Sequence, residues 1–176
     1  MIRKIVKYGN PVLEQEGAEV KDFGSQELRD LVADMFDSMY AAKGVGLAAP
    51  QLGVSRKVTV IDISGGSKEE GMPPQEKIVM INPKIVIREG KQVGEEGCLS
   101  IPGFREQVKR AKKVTVRAQN MEGEWFEKSG EDLLARCMQH EIDHLNGILF
   151  ITHVSPLKRD LIKRRIRKMI KAGEWD

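Results

Sequence analysis

Residues 139–150, "QHEIDHLNGILF", constrain this chain more than any other stretch. Two histidines four apart, with a glutamate after the first, form the H-E-x-x-H pattern of helical zinc sites. On a helix, His140 and His144 lie one turn apart on one face, so both rings can reach a single ion. A fold that uses them must bury that face and bring a third ligand to it. A known extension of the pattern supplies the third ligand as a histidine six residues beyond the second. Here Gly147 keeps the intervening glycine, but Phe150 occupies the ligand slot and cannot bind metal.

The rest of the chain sets the context. A length of 176 residues suits one domain with a proper core. Hydrophobic content of 40% and charged content of 31% are ordinary for a soluble globular protein. The N-terminus lacks the apolar run of a signal peptide and no segment could span a bilayer, so a cytoplasmic location is expected. Two cysteines, Cys98 and Cys137, make no disulfide framework and read as buried thiols or metal ligands. There are only three histidines, so two of them in H-E-x-x-H carry weight. Residues 158–176 hold eight Lys/Arg against three acids, a net +5, so the remainder carries −2 of the total +3. Basicity belongs to the tail.

Periodicity organises the chain into a one-domain α+β architecture. Ser25 is a good N-cap for a helix whose apolar positions run from Leu28 to Tyr40 and which ends near Lys43-Gly44. "RKVTVIDI" reads as a strand, "EKIVMINPKIVIRE" as two short strands divided by Asn82-Pro83, and "KKVTVRAQN" with "EWFEK" as another pair. Residues 64–75 are rich in Gly, Pro and charge and read as a surface loop. A second helix is expected from Ser129 or Gly130 to Leu145-Asn146, stopped by Gly147. A third covers Pro156 to Lys171. Its apolar stripe, Leu157, Leu161, Ile162, Ile166, Met169 and Ile170, is expected to dock on the body, dividing the chain into a catalytic unit, 1–156, and a basic helix, 157–176.

Four sources of the third ligand can be weighed. Cys137 shares the helical stripe, but it lies seven residues from His144, roughly 10 Å of helix axis. A thiolate binds at about 2.3 Å, so Cys137 reads as a pocket residue instead. His153 lies past the helix end at the wrong spacing. The acids after Gly147 (Asp160, Glu174 and Asp176) belong to the basic tail. Cys98, in the turn-rich "GEEGCLSIPG", remains, and it is the expected third ligand. One cysteine and two histidines leave a four-coordinate metal one open position, the pattern of a catalytic site. Glu141 then stands where a general base should.

Three segments, "GVGLAAPQ" at 44–51, "EGCLS" at 96–100 and "QHEIDH" at 139–144, together resemble peptide deformylase, and they occur in that family's order. "YGNPVL" and "LNGILF" extend the likeness over most of the chain, which looks most like the bacterial type with a basic C-terminal helix. Where the family commonly has Ile-Asp after "ILF", this chain has Ile151-Thr152-His153. The resemblance implies an α+β fold of small, mostly antiparallel sheets around the H-E-x-x-H helix. It implies hydrolysis of the N-formyl group of formyl-methionyl polypeptides, releasing formate, with Gln51 and the Leu99 backbone N–H stabilising the oxyanion. It further implies a peptide track along Val45, Gly46 and Gly97, whose glycines leave room for the substrate. It also implies one divalent metal, ferrous iron in the cell, with Zn²⁺, Ni²⁺ or Co²⁺ as substitutes. Leu133 and Cys137 would line a pocket for the methionine side chain. Arg105 would stand near the metal loop, and Arg136 could border the pocket mouth.

Three rival readings set limits. A non-catalytic ribosome-binding protein would use the basic helix and keep its metal for structure alone. An H-E-x-x-H metallopeptidase would share the same machinery. "GVGLAA" also fits a dinucleotide loop, but it follows a helix instead of a strand, so no nucleotide cofactor is expected. The basic tail suggests attraction to a polyanion, and the resemblance to deformylases implies that ribosomal RNA is that partner.

Overall fold

The structure, a computed structural model, describes residues 1–175. Helix α1, Gln26–Ala41, begins where the Ser25 side chain accepts a hydrogen bond from the Leu28 N–H at 3.1 Å. Its apolar positions Leu28, Leu31, Val32, Met35, Phe36 and Met39 are all buried, as their spacing requires. Seven strands follow: β1 Gly46–Ala48, β2 Val58–Ile61, β3 Ile78–Glu89, β4 Gln92–Cys98, β5 Ile101–Arg110, β6 Lys113–Gln119 and β7 Trp125–Glu131. Helix α2, Asp132–Leu145, and helix α3, Pro156–Lys171, complete the chain. The strands form an antiparallel sheet in the order β1-β2-β3-β6-β7, with β4-β5 as a separate hairpin. The single-domain α+β expectation holds.

Helix α2 lies at the centre. Ala135, Cys137, Met138 and Ile142 pack against Ile61, Ile78, Met80, Val114, Val116 and Ala118 of the sheet. A fully buried large apolar side chain contributes about 1.5–3 kcal/mol, so this helix is held by its apolar face. Its other face brings Arg136, Gln139, His140, Glu141 and His144 out of solvent as well. Polar groups so placed need partners, and those partners build the site.

Strand β1 is not among the strands expected from the sequence, and three further elements differ from that reading. The pair of short strands around Asn82-Pro83 is one strand, β3, with its register shifted between Ile81 and Lys84. Asn82 takes a positive φ of 51° there. Its side chain accepts from the Val20 N–H at 2.9 Å and donates to Val20 O and Gln119 Oε1, both at 2.8 Å, so the irregularity is pinned by partners far along the chain. Residues 129–131 are not helical: Ser129, Gly130 and Glu131 pair with Thr115, Val114 and Lys113 and finish β7. The β4-β5 hairpin, with Cys98 at its end, escaped the strand assignment because glycine and charge interrupt its apolar alternation.

The stop at Gly147 follows expectation, and its reason is steric. Its φ is +75°, and a Cβ would sit 2.8 Å from the Glu14 carbonyl carbon. Helix α3 docks by less than its whole stripe. Ile162 and Ile166 are buried, whereas Leu157, Leu161 and Ile170 are exposed. Met169 packs, partly buried, against the same cluster as Ile162 and Ile166. Trp175 anchors the end: it is buried, its indole N–H donates to Tyr8 O at 2.8 Å, and its ring meets Phe104 edge-on.

Candidate active site

The hairpin β4-β5 carries Cys98 onto the polar face of α2. The Cys98 Sγ lies 3.3 Å from His144 Nε2, which in turn lies 3.2 Å from His140 Nε2. All three donor atoms fall within 4.8 Å of one another. Donors bound at about 2.0–2.3 Å to one tetrahedral ion stand roughly 3.3–3.5 Å apart, so the trio fits a single metal. The expected ligands are therefore brought together. His153 is not among them, for it pairs with Asp143 at 2.8 Å on an exposed edge. Phe150, in the vacant ligand slot, stacks on the His140 ring with centroids 6.2 Å apart and closes the site from one side.

A carboxylate that sequence reading did not single out, Glu96, orients the first histidine. Its Oε1 lies 2.9 Å from His140 Nδ1, so an Nδ1–H can donate to the carboxylate, the tautomer in which Nε2 is free to ligate beside Cys98 and His144. Glu96 also accepts from Arg110 Nε and Nη2, both at 2.9 Å, and from Arg136 Nη1 at 2.6 Å. Burial alone would raise the Glu96 carboxyl, but the bonds from Arg110 and His140 outweigh it and hold it well below the usual range. Arg136 is thus a buried ion-pair partner of Glu96 that also borders the cavity. Arg110 continues the network to Asp143 at 2.7 Å. In the sequence, Glu96 is marked only as the first residue of "EGCLS", two residues before Cys98.

Glu141 has a different environment. It is buried, and its Oε2 finds no hydrogen-bond partner among the described residues. Burial pushes its pKa up to about 7. A carboxyl poised near neutrality beside a metal trio is suited to taking and returning a proton. His144 Nδ1 is likewise buried without a partner among the described residues, and burial holds that imidazole well below its usual value, hence neutral and able to ligate.

Gln51 stands across from this helix in the turn after β1. Its Oε1 accepts from the Ala48 N–H at 3.0 Å, and its Nε2 donates to Ser100 Oγ at 3.1 Å while lying 3.6 Å from Cys98 Sγ. Held from both ends, the amide is preorganised beside the trio. A cavity of about 510 Å³ opens over these groups. Val45, Gly46, Gly97, Leu99, Leu133 and Cys137 all line it, as do Arg105 and Lys43. Arg105 is ion-paired with Glu95. Gly46 has a reason beyond room for a substrate: a Cβ there would lie 2.8 Å from Cys137 Sγ and 3.0 Å from Glu141 Cγ. The glycine lets β1 pass directly over the carboxylate.

An α+β domain that wraps a helix bearing two imidazoles and a buried carboxylate, with a facing thiol, defines a metal-dependent hydrolase. The polypeptide deformylase family model matches residues 2–160. A curated peptide deformylase from Acidobacterium capsulatum is 64% identical over 175 residues, covering 99% of both chains. The crystal structure of a peptide deformylase from Legionella pneumophila, 47% identical, superposes with a TM-score of 0.88 over 100% of this chain and 99% of its own. That of the Thermus thermophilus enzyme, 39% identical, does so with a TM-score of 0.85 over 99% and 98%. The chain belongs to the polypeptide deformylase family.

Proposed function

We propose that the protein hydrolyses the formyl amide of N-formyl-methionyl peptides through Glu141, Gln51 and Leu99, with Cys98, His140 and His144 holding one divalent metal. The activity itself is that of the family: metal-dependent removal of the N-formyl group from new polypeptides. The observation that carries the residue assignment is Glu141, a buried carboxylate with one oxygen that has no partner among the described residues, lining the cavity beside the ligand trio.

When bound, the metal supplies Lewis acidity, which acidifies water and polarises a carbonyl oxygen. Glu141 takes the proton of the attacking water as its oxygen adds to the formyl carbon. Negative charge then gathers on the former carbonyl oxygen, where the Gln51 amide and the Leu99 N–H donate to it. As the C–N bond breaks, Glu141 returns the proton to the departing nitrogen. Formate and a free amino terminus result, and every atom of water is accounted for.

Val45, Gly46 and Gly97 form the track along which the peptide lies as an added strand. Support comes from β1, which is the edge strand of its sheet. Leu133 and Cys137 receive the methionine side chain. Ferrous iron is the proposed ion, with Zn²⁺, Ni²⁺ or Co²⁺ compatible with thiolate and imidazole ligands. We assign the protein to the cytoplasm and the basic helix, appended to a catalytic unit of residues 1–156, to ribosomal RNA. Exposed apolar and basic side chains on one helix support that assignment. Ribosome affinity indifferent to both salt and removal of the tail would argue against it.

Formate release from a formyl-Met tripeptide, on protein prepared without air and loaded with ferrous iron, tests the reading. Brisk turnover, with acetyl-Met peptides inert and Glu141→Ala inactive at unchanged metal content, is expected. Cleavage of unformylated peptides instead would restore the metallopeptidase reading, which family membership disfavours.

A further inference from the structure

We propose that Lys43 makes the mouth of the cavity select formylated chains whose third residue is acidic. The inference rests on the deformylase reading above and names a specificity determinant within it. Three cationic side chains line the cavity: Lys43, Arg105 and Arg136. Arg105 is paired with Glu95, and Arg136 with Glu96. Lys43 is exposed and has no acidic partner among the described residues. The mouth therefore presents one uncompensated positive charge to whatever enters.

The backbone that carries that charge is fixed by the end of α1. Lys43 adopts φ 58°, a left-handed conformation that glycine takes freely and lysine does not. Its N–H donates to Tyr40 O at 3.0 Å and the Gly44 N–H to Met39 O at 2.9 Å, so the backbone is held on both sides. Lys43 precedes Gly46 by three residues, at most about 10 Å of chain. Gly46 lies against Glu141, where the formyl group reacts. An extended peptide advances about 3.3 Å per residue. With its formyl carbon at Glu141 and its backbone running from Gly46 back past Val45 and Gly44, the segment that leads into β1, its third residue comes within reach of the Lys43 side chain.

A cation at this place also complements the negative end of α1. That role acts on stability and is blind to the peptide, so substrate comparison separates the two. The measurement is kcat/KM for formyl-Met-Ala-Asp, formyl-Met-Ala-Ala and formyl-Met-Ala-Lys on the metal-loaded protein and on Lys43→Gly and Lys43→Glu. Glycine suits the left-handed backbone, so the first variant removes the charge and leaves the turn intact. The wild-type protein should prefer Asp over Lys by about threefold to tenfold, the scale of exposed charge pairs. The ratio should shrink in high salt, approach one in Lys43→Gly and invert in Lys43→Glu. Calorimetry with the product peptides Met-Ala-Asp and Met-Ala-Lys should give affinities in the same order. A wild-type ratio of one, or a ratio unchanged in Lys43→Gly, overturns the selection by Lys43 and leaves the deformylase reading standing. Absence of formate from all three peptides overturns both.

Discussion

His140 Nδ1 lies 2.9 Å from Glu96 Oε1, and through that bond one imidazole of the metal trio is tied to two buried arginines. Replacing Glu96 by alanine would leave Arg110 and Arg136 without their shared carboxylate. Removing one partner from a buried ion pair costs about 3–5 kcal/mol, and loss of the bond that orients a metal-binding histidine lowers metal affinity about 10–100-fold. Glu96→Ala should therefore melt well below the wild type and lose its metal to a chelator at lower concentration. Wild-type melting and metal retention in this variant would show that Glu96 neither supports the fold nor orients His140.

Gln51 is buried and held by Ala48 and Ser100, so its amide does not have to reorganise during the reaction. Gln51→Ala should lower kcat by about 10²–10³, the effect of losing one preorganised oxyanion donor, at unchanged metal content. It should also cost stability, about 1–3 kcal/mol, because the buried Ala48 N–H loses its acceptor. A change confined to KM would contradict the oxyanion role.

Gly46 admits no side chain while Cys137 and Glu141 stand where they are. Gly46→Ala should keep the metal and lose most turnover, since the new methyl displaces the Glu141 carboxylate. Shortening the nearer obstacle in Gly46→Ala/Cys137→Ala should recover part of the rate. Equal activity in the single variant and the wild type would mean that β1 yields more readily than its contacts imply.

Tyr40 and Asp62 tie α1 to the segment after β2, with the phenol donating to Asp62 Oδ2 at 2.6 Å. Asp62 is fully buried; burial would raise its carboxyl, but bonds from Ser64 and Tyr40 hold it below the usual value. Burial and the hydrogen bond to Asp62 push Tyr40 up to about 12. The signs differ. The depressed carboxyl contributes stability that is present above its unfolded pKa and lost as pH falls through the folded value. The raised phenol contributes stability that is present below its unfolded pKa of 10.0 and lost as pH rises toward about 12. Tyr40→Phe should cost about 1.5–3 kcal/mol near neutral pH, the range for a bond to a charged group. It should also reduce the alkaline loss to the part contributed by other raised groups such as Tyr8, whose phenol is likewise pushed up by burial. Melting curves from acid to alkaline pH on both proteins check this. An undiminished alkaline loss would assign it to another group.

Much of the site was legible because its chemistry is local. The four-residue spacing of His140 and His144 needs nothing but helical geometry to put both rings on one face, and Glu141 follows from the same turn. Cys98 was reachable by elimination, since few residue types bind metal and fewer remained. The Glu96, Arg110 and Arg136 cluster was not legible. Each is an ordinary charged residue in sequence, and their pairing depends on β4, β5 and α2 meeting at distances no local pattern encodes.

The same division runs through the fold. Residues 156–171 announce a helix by their period, but period could not tell that Leu157 and Leu161 stay exposed while Trp175 anchors the end. Ser129, Gly130 and Glu131 went to a strand because β6 offered them backbone partners. Local sequence determined helix phase, caps and the candidate metal donors, for these depend on dihedral preference and chemistry within a turn or two. The tertiary structure decided which polar groups are buried together, and so which carboxylate is ionised and which is held near neutrality. Burial and Coulomb interaction depend on distance through space, and that distance exists only once the chain has closed.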